Sequence, residues 1–249
     1  LAKFYFMIGL PGADRKTEAT KITSYIDEIQ NKTGIRLNVN VGTFIPKAHT
    51  PFQWAPQLSE EESFHDMRYL KNYYKRNGNV KLSYHSPFVS YLEGLISRGD
   101  ERVGELLIKA YKAGARLDAW EEHFNMPLWK NILDNSEWNV NKEITRERTL
   151  GEDLPWDSIS FGINKSYLKR EYQKALNYET SEICNDPCSH NCGVCRKDIV
   201  IEKNVKSKNI TENEFKIIID ENNVENNCTY LFKFSKTGKA IYLSHLNIL

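Results

Sequence analysis

The chain has 249 residues, 40% of them hydrophobic and 12% aromatic, enough for one large packed domain and part of another. A formal net charge of +1 gives bulk electrostatics no preferred partner, nucleic acid included. No apolar run approaches the ~20 residues of a membrane helix and no secretory signal is recognisable, so no membrane partner is expected and the expected location is cytoplasmic.

"KFYFMI" (Lys3 to Ile8) is a nearly continuous apolar run, expected as a strand buried on both faces. Gly9-Leu10-Pro11-Gly12 breaks it, and Asp14 is placed to cap a helix whose apolar face is Ala19, Ile22, Ile26 and Ile29. Ile35, Leu37, Val39 and Val41 alternate as a second strand. A Pro-rich loop follows (Pro46 to Gln57), then a capping box at Ser59 and Glu62 that opens a helix with Phe64, Met67, Leu70 and Tyr74 on one face. Val80, Leu82 and Tyr84 give a third strand. Ser86-Pro87 starts a helix carrying Val89, Leu92 and Ile96. Arg98-Gly99-Asp100 interrupts it, and Asp100 recaps a helix with Val103, Leu107, Ala110 and Tyr111, closed by Gly114. "ARLDAW" (Ala115 to Trp120) reads as one more short strand, with Asp118 near the strand ends or paired to Arg116 or Lys112.

Strands alternating with helices predict a parallel α/β sheet, in which ligands gather at the carboxyl ends of the strands. Three segments lie there: Gly9 to Gly12, Lys47 to Trp54, and His85-Ser86. The second is long and mixes Lys47, His49, Gln53 and Trp54, the composition of a binding loop.

After about Leu150 the pattern changes. Leu154 to Leu176 reads as a turn and a helix. Four of the five cysteines then fall within twelve positions, Cys184, Cys188, Cys192 and Cys195, with His190 among them and Pro187 and Gly193 supplying turns. Thiols packed this closely point to a metal site. The C-x3-C-x3-C-x2-C spacing leaves zinc and an iron–sulfur cluster both open. A polar stretch follows, with "EFKIIID" (Glu214 to Asp220) as a short strand. From Tyr230, alternation predicts a strand, a turn at Thr237-Gly238 and a second strand. The first and last residues fall inside apolar patterns, which marks the sequence as part of a longer protein.

Four blocks together resemble the C-terminal part of radical SAM proteins of the subgroup with a cobalamin-binding-type domain. They are "YFMIGLPG" (Tyr5 to Gly12), "VNVGTFIPKAHTPFQWAPQ" (Val39 to Gln57), "LEGLISRGDERVGELLIKAYKAGARLDAW" (Leu92 to Trp120) and "LPWDSISFGINKSYL" (Leu154 to Leu168). "LFKFSKTGKAIYLSHLNIL" is similar to the start of a domain of unknown function that often follows that barrel. The resemblance implies residues 1–150 as the C-terminal part of a (β/α)6-type barrel, 151–197 as a helical extension with the cysteine site, 198–227 as a linker and 228–249 as the start of a small α+β domain. It implies an enzyme that reductively cleaves S-adenosylmethionine at a 4Fe-4S cluster and acts on RNA or a ribosome-related substrate, with cobalamin as a further cofactor of the whole protein. The one CxxxCxxC spacing in the sequence, at Cys188, Cys192 and Cys195, lies after the barrel strands and not where these proteins hold the radical-generating cluster, so that step is expected to belong to an upstream half of the polypeptide, and these residues alone are expected to be inactive. Relatives carry Glu-Thr or Glu-Ser after the turn where Ala13-Asp14 stands here. By the same resemblance, Gly9, Pro11, Gly12, Lys47, His49, Gln53 and Trp54 lie on the S-adenosylmethionine and substrate side. The competing expectation is a non-catalytic, zinc-stabilised binding module.

Overall fold

Three apolar alternations in the first half of the chain fold as strands that pair in chain order. The structure, a computed structural model, describes residues 1–184, 190–194, 232–234 and 240–242. β1 (Ala2–Ile8), β2 (Leu37–Thr43) and β3 (Val80–Tyr84) form a parallel sheet of order β1-β2-β3, with Phe4 beside Val39 and Val39 beside Leu82. Parallel neighbours need a crossover, and α1 (Glu18–Thr33) and α2 (Glu60–Tyr73) provide it. Both helices cover the same face. Ile22 and Ile26 of α1, with Met67 and Leu70 of α2, pack in one cluster on Ile8, Leu37, Val39, Val41 and Val80. All are buried, each contributing about 1.5–3 kcal/mol of hydrophobic stabilisation.

The other face has no covering layer among the described residues. Lys3, Tyr5 and Met7 point there and are exposed, Tyr5 by 76%. This corrects the expectation that β1 is buried on both faces. Its apolar run conceals an alternation, Phe4, Phe6 and Ile8 inward against Tyr5 and Met7 outward, because the helices lie on one side only.

The capping box of α2 forms as the sequence predicts: the Glu62 N–H donates to Ser59 Oγ at 3.2 Å, and the Ser59 N–H to the Glu62 carboxylate at 2.9 Å. Asp14 acts differently from expectation. Its carboxylate accepts from the Lys16 N–H and the Thr17 hydroxyl within a turn, and the N-cap position of α1 falls at Thr17.

A second cluster joins α3 (Pro87–Arg98), α4 (Arg102–Lys112), α5 (Met126–Asp134) and α6 (Val140–Thr145). The phase of its stripes departs from expectation. α3 buries Phe88, Tyr91, Leu92 and Leu95, while Val89 and Ile96 are exposed; α4 buries Leu106 in place of Leu107 and Tyr111. On α3, the face bearing two aromatic rings removes more apolar area from water. Phe64 of α2 likewise points outward. Residues 115–120 form turns instead of a strand. Leu117 has φ 56°, the Trp120 N–H donates to the Leu117 carbonyl at 2.9 Å, and both side chains are exposed. Asp118 neither faces the strand ends nor pairs with Arg116 or Lys112; it accepts a hydrogen bond from Trp129 Nε1 at 3.0 Å.

A third cluster seats α7 (Lys165–Leu176) on the loop after β2. Leu168 and Tyr172 pack against Phe44, Trp54, Ala55, Leu154 and Trp156. The chain divides into two compact units, Leu1–Ile201 and Glu202–Leu249. In the second, β4 (Phe232–Phe234) and β5 (Ala240–Tyr242) pair antiparallel, in line with the alternation read there. The Thr237-Gly238 turn and the expected strand at 214–220 lie outside the described residues. No helix among the described residues is long and apolar enough to cross a membrane.

Candidate functional site

All three strands end at the same edge of the sheet, so the segments singled out by their position after strands lie at one end of that sheet. Gly9 (φ 81°) and Gly12 (φ 79°) take the left-handed conformation in the first turn. The backbone N–H groups of Gly9 and Leu10 do not point to solvent. Gly9 donates to both carboxylate oxygens of Glu18, at 3.0 and 2.9 Å, and Leu10 to one of them at 3.4 Å. Glu18, buried in the first turn of α1, therefore supplies a carboxylate to a turn that is followed by Ala13-Asp14 in the chain. Arg15 bridges Glu18 to the buried Asp66 of α2. This acid was missing from the sequence reading, though an acidic first helical turn was its available signal. Gly9, Pro11 and Gly12 line a cleft of about 460 Å3 closed by Arg15, Gln57, Glu147 and Tyr172. Burial pushes the Tyr172 phenol up to about 12, helped by Glu147, which accepts its hydrogen bond at 3.2 Å.

The loop after β2 divides its four candidates between surface and core. Lys47 pairs with Glu93 at 2.5 Å and donates to Ser97 at 3.0 Å, tying the loop to α3. His49 has φ 56°, and its ring meets Phe161 edge-on with centroids 4.7 Å apart. Gln53 is buried, and its Oε1 accepts from the His49 N–H at 3.0 Å and from Trp156 Nε1 at 2.7 Å. Trp54 is wholly buried against Tyr172, and its Nε1–H has no partner among the described residues. Gln53 and Trp54 thus shape the loop from within, while Lys47 and His49 stay near the surface.

His85 and the uncovered sheet face make a second, polar surface. Its rows run Lys3–Asn38–Lys81, Tyr5–Asn40–Ser83 and Met7–Gly42. His85 extends the last row: its N–H donates to the Val41 carbonyl at 3.2 Å, and its Cδ2 lies 3.9 Å from where a Cβ on Gly42 would stand. Asn40 Nδ2 donates to Ser83 Oγ at 3.0 Å. None of these residues is a carboxylate.

Beside the loop lies a buried arginine cluster that sequence reasoning treated only as a helix break. Arg98 is fully buried; it donates to the carbonyls of Ala55 at 2.6 Å and Arg146 at 2.7 Å. Arg148, 3% exposed, donates to the Arg98 carbonyl at 2.7 Å and to Glu143 at 2.9 Å. Burial first, then Arg148 and Arg146, lower Arg98 to about 10, against the partial compensation of Glu143 and Glu152. Burial alone would raise Glu152, but hydrogen bonds from Arg146 and the Thr149 N–H outweigh it and leave its carboxyl below the usual range. The cluster fixes residues 54–57 against α3, with the Arg148 N–H on the Trp54 carbonyl at 2.8 Å.

Of the four clustered cysteines, Cys184 and Cys192 are described and both are free thiols; Cys188 and Cys195 lie outside the described residues. Among the described residues no three His, Cys, Asp or Glu side chains converge on a metal position. Residues 190–192 are held to α7 by their carbonyls. Arg170 donates to His190 at 2.7 Å, Asn164 Nδ2 to Asn191 at 2.8 Å, and the Asn164 N–H to Cys192 at 2.7 Å. Gly193 has φ 90°, and a Cβ there would stand 2.6 Å from the Gly162 carbonyl oxygen, so only glycine fits the turn beside Cys192. Burial, then Glu171, Cys192 and Cys184 in that order, raise the Tyr167 phenol, while Lys174 opposes them.

No family model matches the chain, and no curated protein or solved structure is detectably similar to it.

Proposed function

We propose that the first unit is an arc of a radical SAM barrel and that its uncovered sheet face looks onto the S-adenosylmethionine and substrate side. One observation carries this reading: three parallel strands in sequential order, both crossover helices on one face, and a polar, carboxylate-free opposite face. A doubly wound sheet covers both faces and is apolar on both. A barrel wall has helices outside only. Gly42, with no side chain, leaves room above the sheet beside His85, and Asn40 and Ser83 offer hydrogen-bonding groups in the adjacent row. S-adenosylmethionine bound at a 4Fe-4S cluster would supply reductive carbon–sulfur cleavage; the one C-x3-C-x2-C of the chain, Cys188, Cys192 and Cys195, follows the strands, whereas this reading assigns the cluster to ligands that precede them. What this chain contributes is positioning. Glu18 holds the Gly9–Gly12 turn, the arginine cluster holds residues 54–57, and Asn40, Ser83 and His85 present polar groups to a ligand over the sheet.

The four thiols have the donor chemistry of zinc or of an auxiliary iron–sulfur cluster, and the tight, glycine-dependent turn beside Cys192 supports that reading. The test is anaerobic purification of the whole chain, with iron, sulfide and zinc counted and S-adenosylmethionine binding measured by equilibrium dialysis. Binding weakened about tenfold by Asn40→Leu is expected, a loss of roughly 1.4 kcal/mol. Cys192→Ser is expected to release the metal. A colourless zinc protein with no affinity for S-adenosylmethionine overturns the barrel reading in favour of a binding module, and metal content unchanged by Cys192→Ser overturns the cysteine site.

A further inference from the structure

A chain of net charge +1 need not be neutral everywhere. Between Asp66 and Glu93 no carboxylate occurs, while Arg68, Lys71, Lys75, Arg76 and Lys81 all fall in that interval. Three of them, Lys71, Lys75 and Lys81, line one groove at the end of the sheet remote from the strand-end loops. The last turn of α2, the link at 74–79 and the start of β3 enclose a groove of about 550 Å3 lined by Lys71, Asn72, Lys75, Gly78 and Lys81. All five cations are exposed. None of them takes part in an ion pair among the described residues, where Lys32, Lys47, Lys130, Lys165 and Lys174 all do. Lys71 lies over the Tyr84 ring at 5.3 Å, which leaves its ammonium without an anion.

Helix-dipole complementarity accounts for cations in the last turn of α2, such as Lys71. It does not account for Lys81 on β3, nor for the absence of any carboxylate across the groove. We propose that this groove binds the phosphate backbone of a single-stranded nucleic acid. Lys71 in the last turn of α2 and Lys75 in the turn that follows it both line the groove, so they offer two cations to the phosphates of one strand. Asn72, exposed beside them, adds a neutral amide donor of the kind that commonly contacts phosphate and sugar. An acidic peptide fits less well. Such docking relies on exposed apolar anchors, and the apolar lining residues Tyr74, Val80 and Leu82 are buried or half-buried. The inference goes beyond the function proposed above, because the groove lies at the end of the sheet remote from the strand-end loops. Its test reads binding and not turnover, so its failure is distinguishable from failure of the barrel reading.

The measurement is fluorescence anisotropy of the whole chain with a labelled oligouridylate of about 20 nucleotides, titrated at several salt concentrations. Three or four neutralised phosphates predict a log–log slope of roughly −2 to −3. The quadruple variant Lys71→Gln/Lys75→Gln/Arg76→Gln/Lys81→Gln is expected to lose at least about tenfold in affinity at low salt and to flatten the slope. Lys109→Gln/Lys112→Gln, an exposed pair in the last turn of α4, is the charge control and is expected to stay within about twofold. If circular dichroism shows the quadruple variant unfolded, Lys75→Gln/Arg76→Gln is read in its place. No binding at low salt, equal loss in the control, or competition by polyglutamate equal to that by unlabelled oligouridylate overturns the proposal.

Discussion

Gly94 stands in the middle of α3, where replacing glycine by alanine ordinarily stabilises a helix by about 0.8–1 kcal/mol. Here the opposite sign is expected. A Cβ at Gly94 would stand 2.1 Å from Gln57 Oε1, 2.3 Å from Nε2 and 2.5 Å from Cδ. Gln57 cannot swing into solvent without cost, being 3% exposed, with Nε2 donating to the Ser90 carbonyl at 3.1 Å and its backbone N–H to Thr145 at 3.2 Å. Displacing the amide forfeits about 1 kcal/mol of hydrogen bonding and adds about 1–3 kcal/mol of overpacking. Set against the helical gain, Gly94→Ala alone should destabilise by roughly 1–3 kcal/mol. In a Gln57→Ala background the obstruction is gone, and the same substitution should stabilise by up to about 1 kcal/mol. Urea unfolding of the four proteins gives the cycle, with an expected coupling of roughly 2–4 kcal/mol. If Gly94→Ala stabilises the otherwise unaltered chain, or costs the same in both backgrounds, the account of how residues 55–57 dock on α3 is wrong.

Gly9→Ala should lower the melting temperature through two additive costs: a left-handed φ of 81° and a Cβ 2.7 Å from Leu58 Cγ. Together they amount to about 2–4 kcal/mol, and Leu58→Ala should relieve only the steric share. Arg98→Met should cost about 2–5 kcal/mol in denaturant unfolding, because it strips the donors from two buried carbonyls, and Arg98→Lys should not rescue it, since one ammonium cannot replace the planar fork. Burial pushes the Tyr91 phenol up to about 12, with Glu60 adding to the shift. The unfolded chain therefore releases this proton first, near pH 10, and the native state keeps it to about 12. Stability from this group is intact below pH 10 and falls across that window by about 1.4 kcal/mol per pH unit. Tyr91→Phe should remove that part of the alkaline slope, as read from unfolding midpoints at pH 9 to 11.

The elements legible in the sequence were those marked by local chemistry. A nearly continuous apolar run found β1, alternation found β2 and β3, and Ser59 with Glu62 found the start of α2, because these signals act over a few neighbouring residues. The phases of α3 and α4 were misread where two apolar stripes compete on one helix, since the choice is made by the partner helix and not by the helix itself. α5 and α6 went unread although Asn125 and Asn139 both cap as a sequence reading could expect; their apolar segments are short and "ARLDAW" drew the strand assignment ahead of them. At the candidate site, position after a strand located segments that gather at the strand ends, but not the contacts made within them. Gln53 and Trp54 look like ligand contacts in sequence and are packing residues in space. Glu18 and Arg98 look like an ordinary first-turn acid and a helix break, yet each holds backbone groups of a strand-end loop. Those roles depend on partners 9 to 48 residues away, which no local pattern reveals.

Tyr178 sits just past the end of α7 with φ 59°, and its hydroxyl donates to the Gly12 carbonyl at 2.8 Å. At the other end of the same helix, Asn164 holds Asn191 and Cys192. α7 is thus a rigid rod with the cysteine segment fastened at one end and the first strand-end turn at the other. In hydrogen-exchange terms these are not two independent loops. Any opening that lifts α7 from Phe44 and Trp54 exposes the amides of both attachments in a single event, at the free energy of that one packed surface.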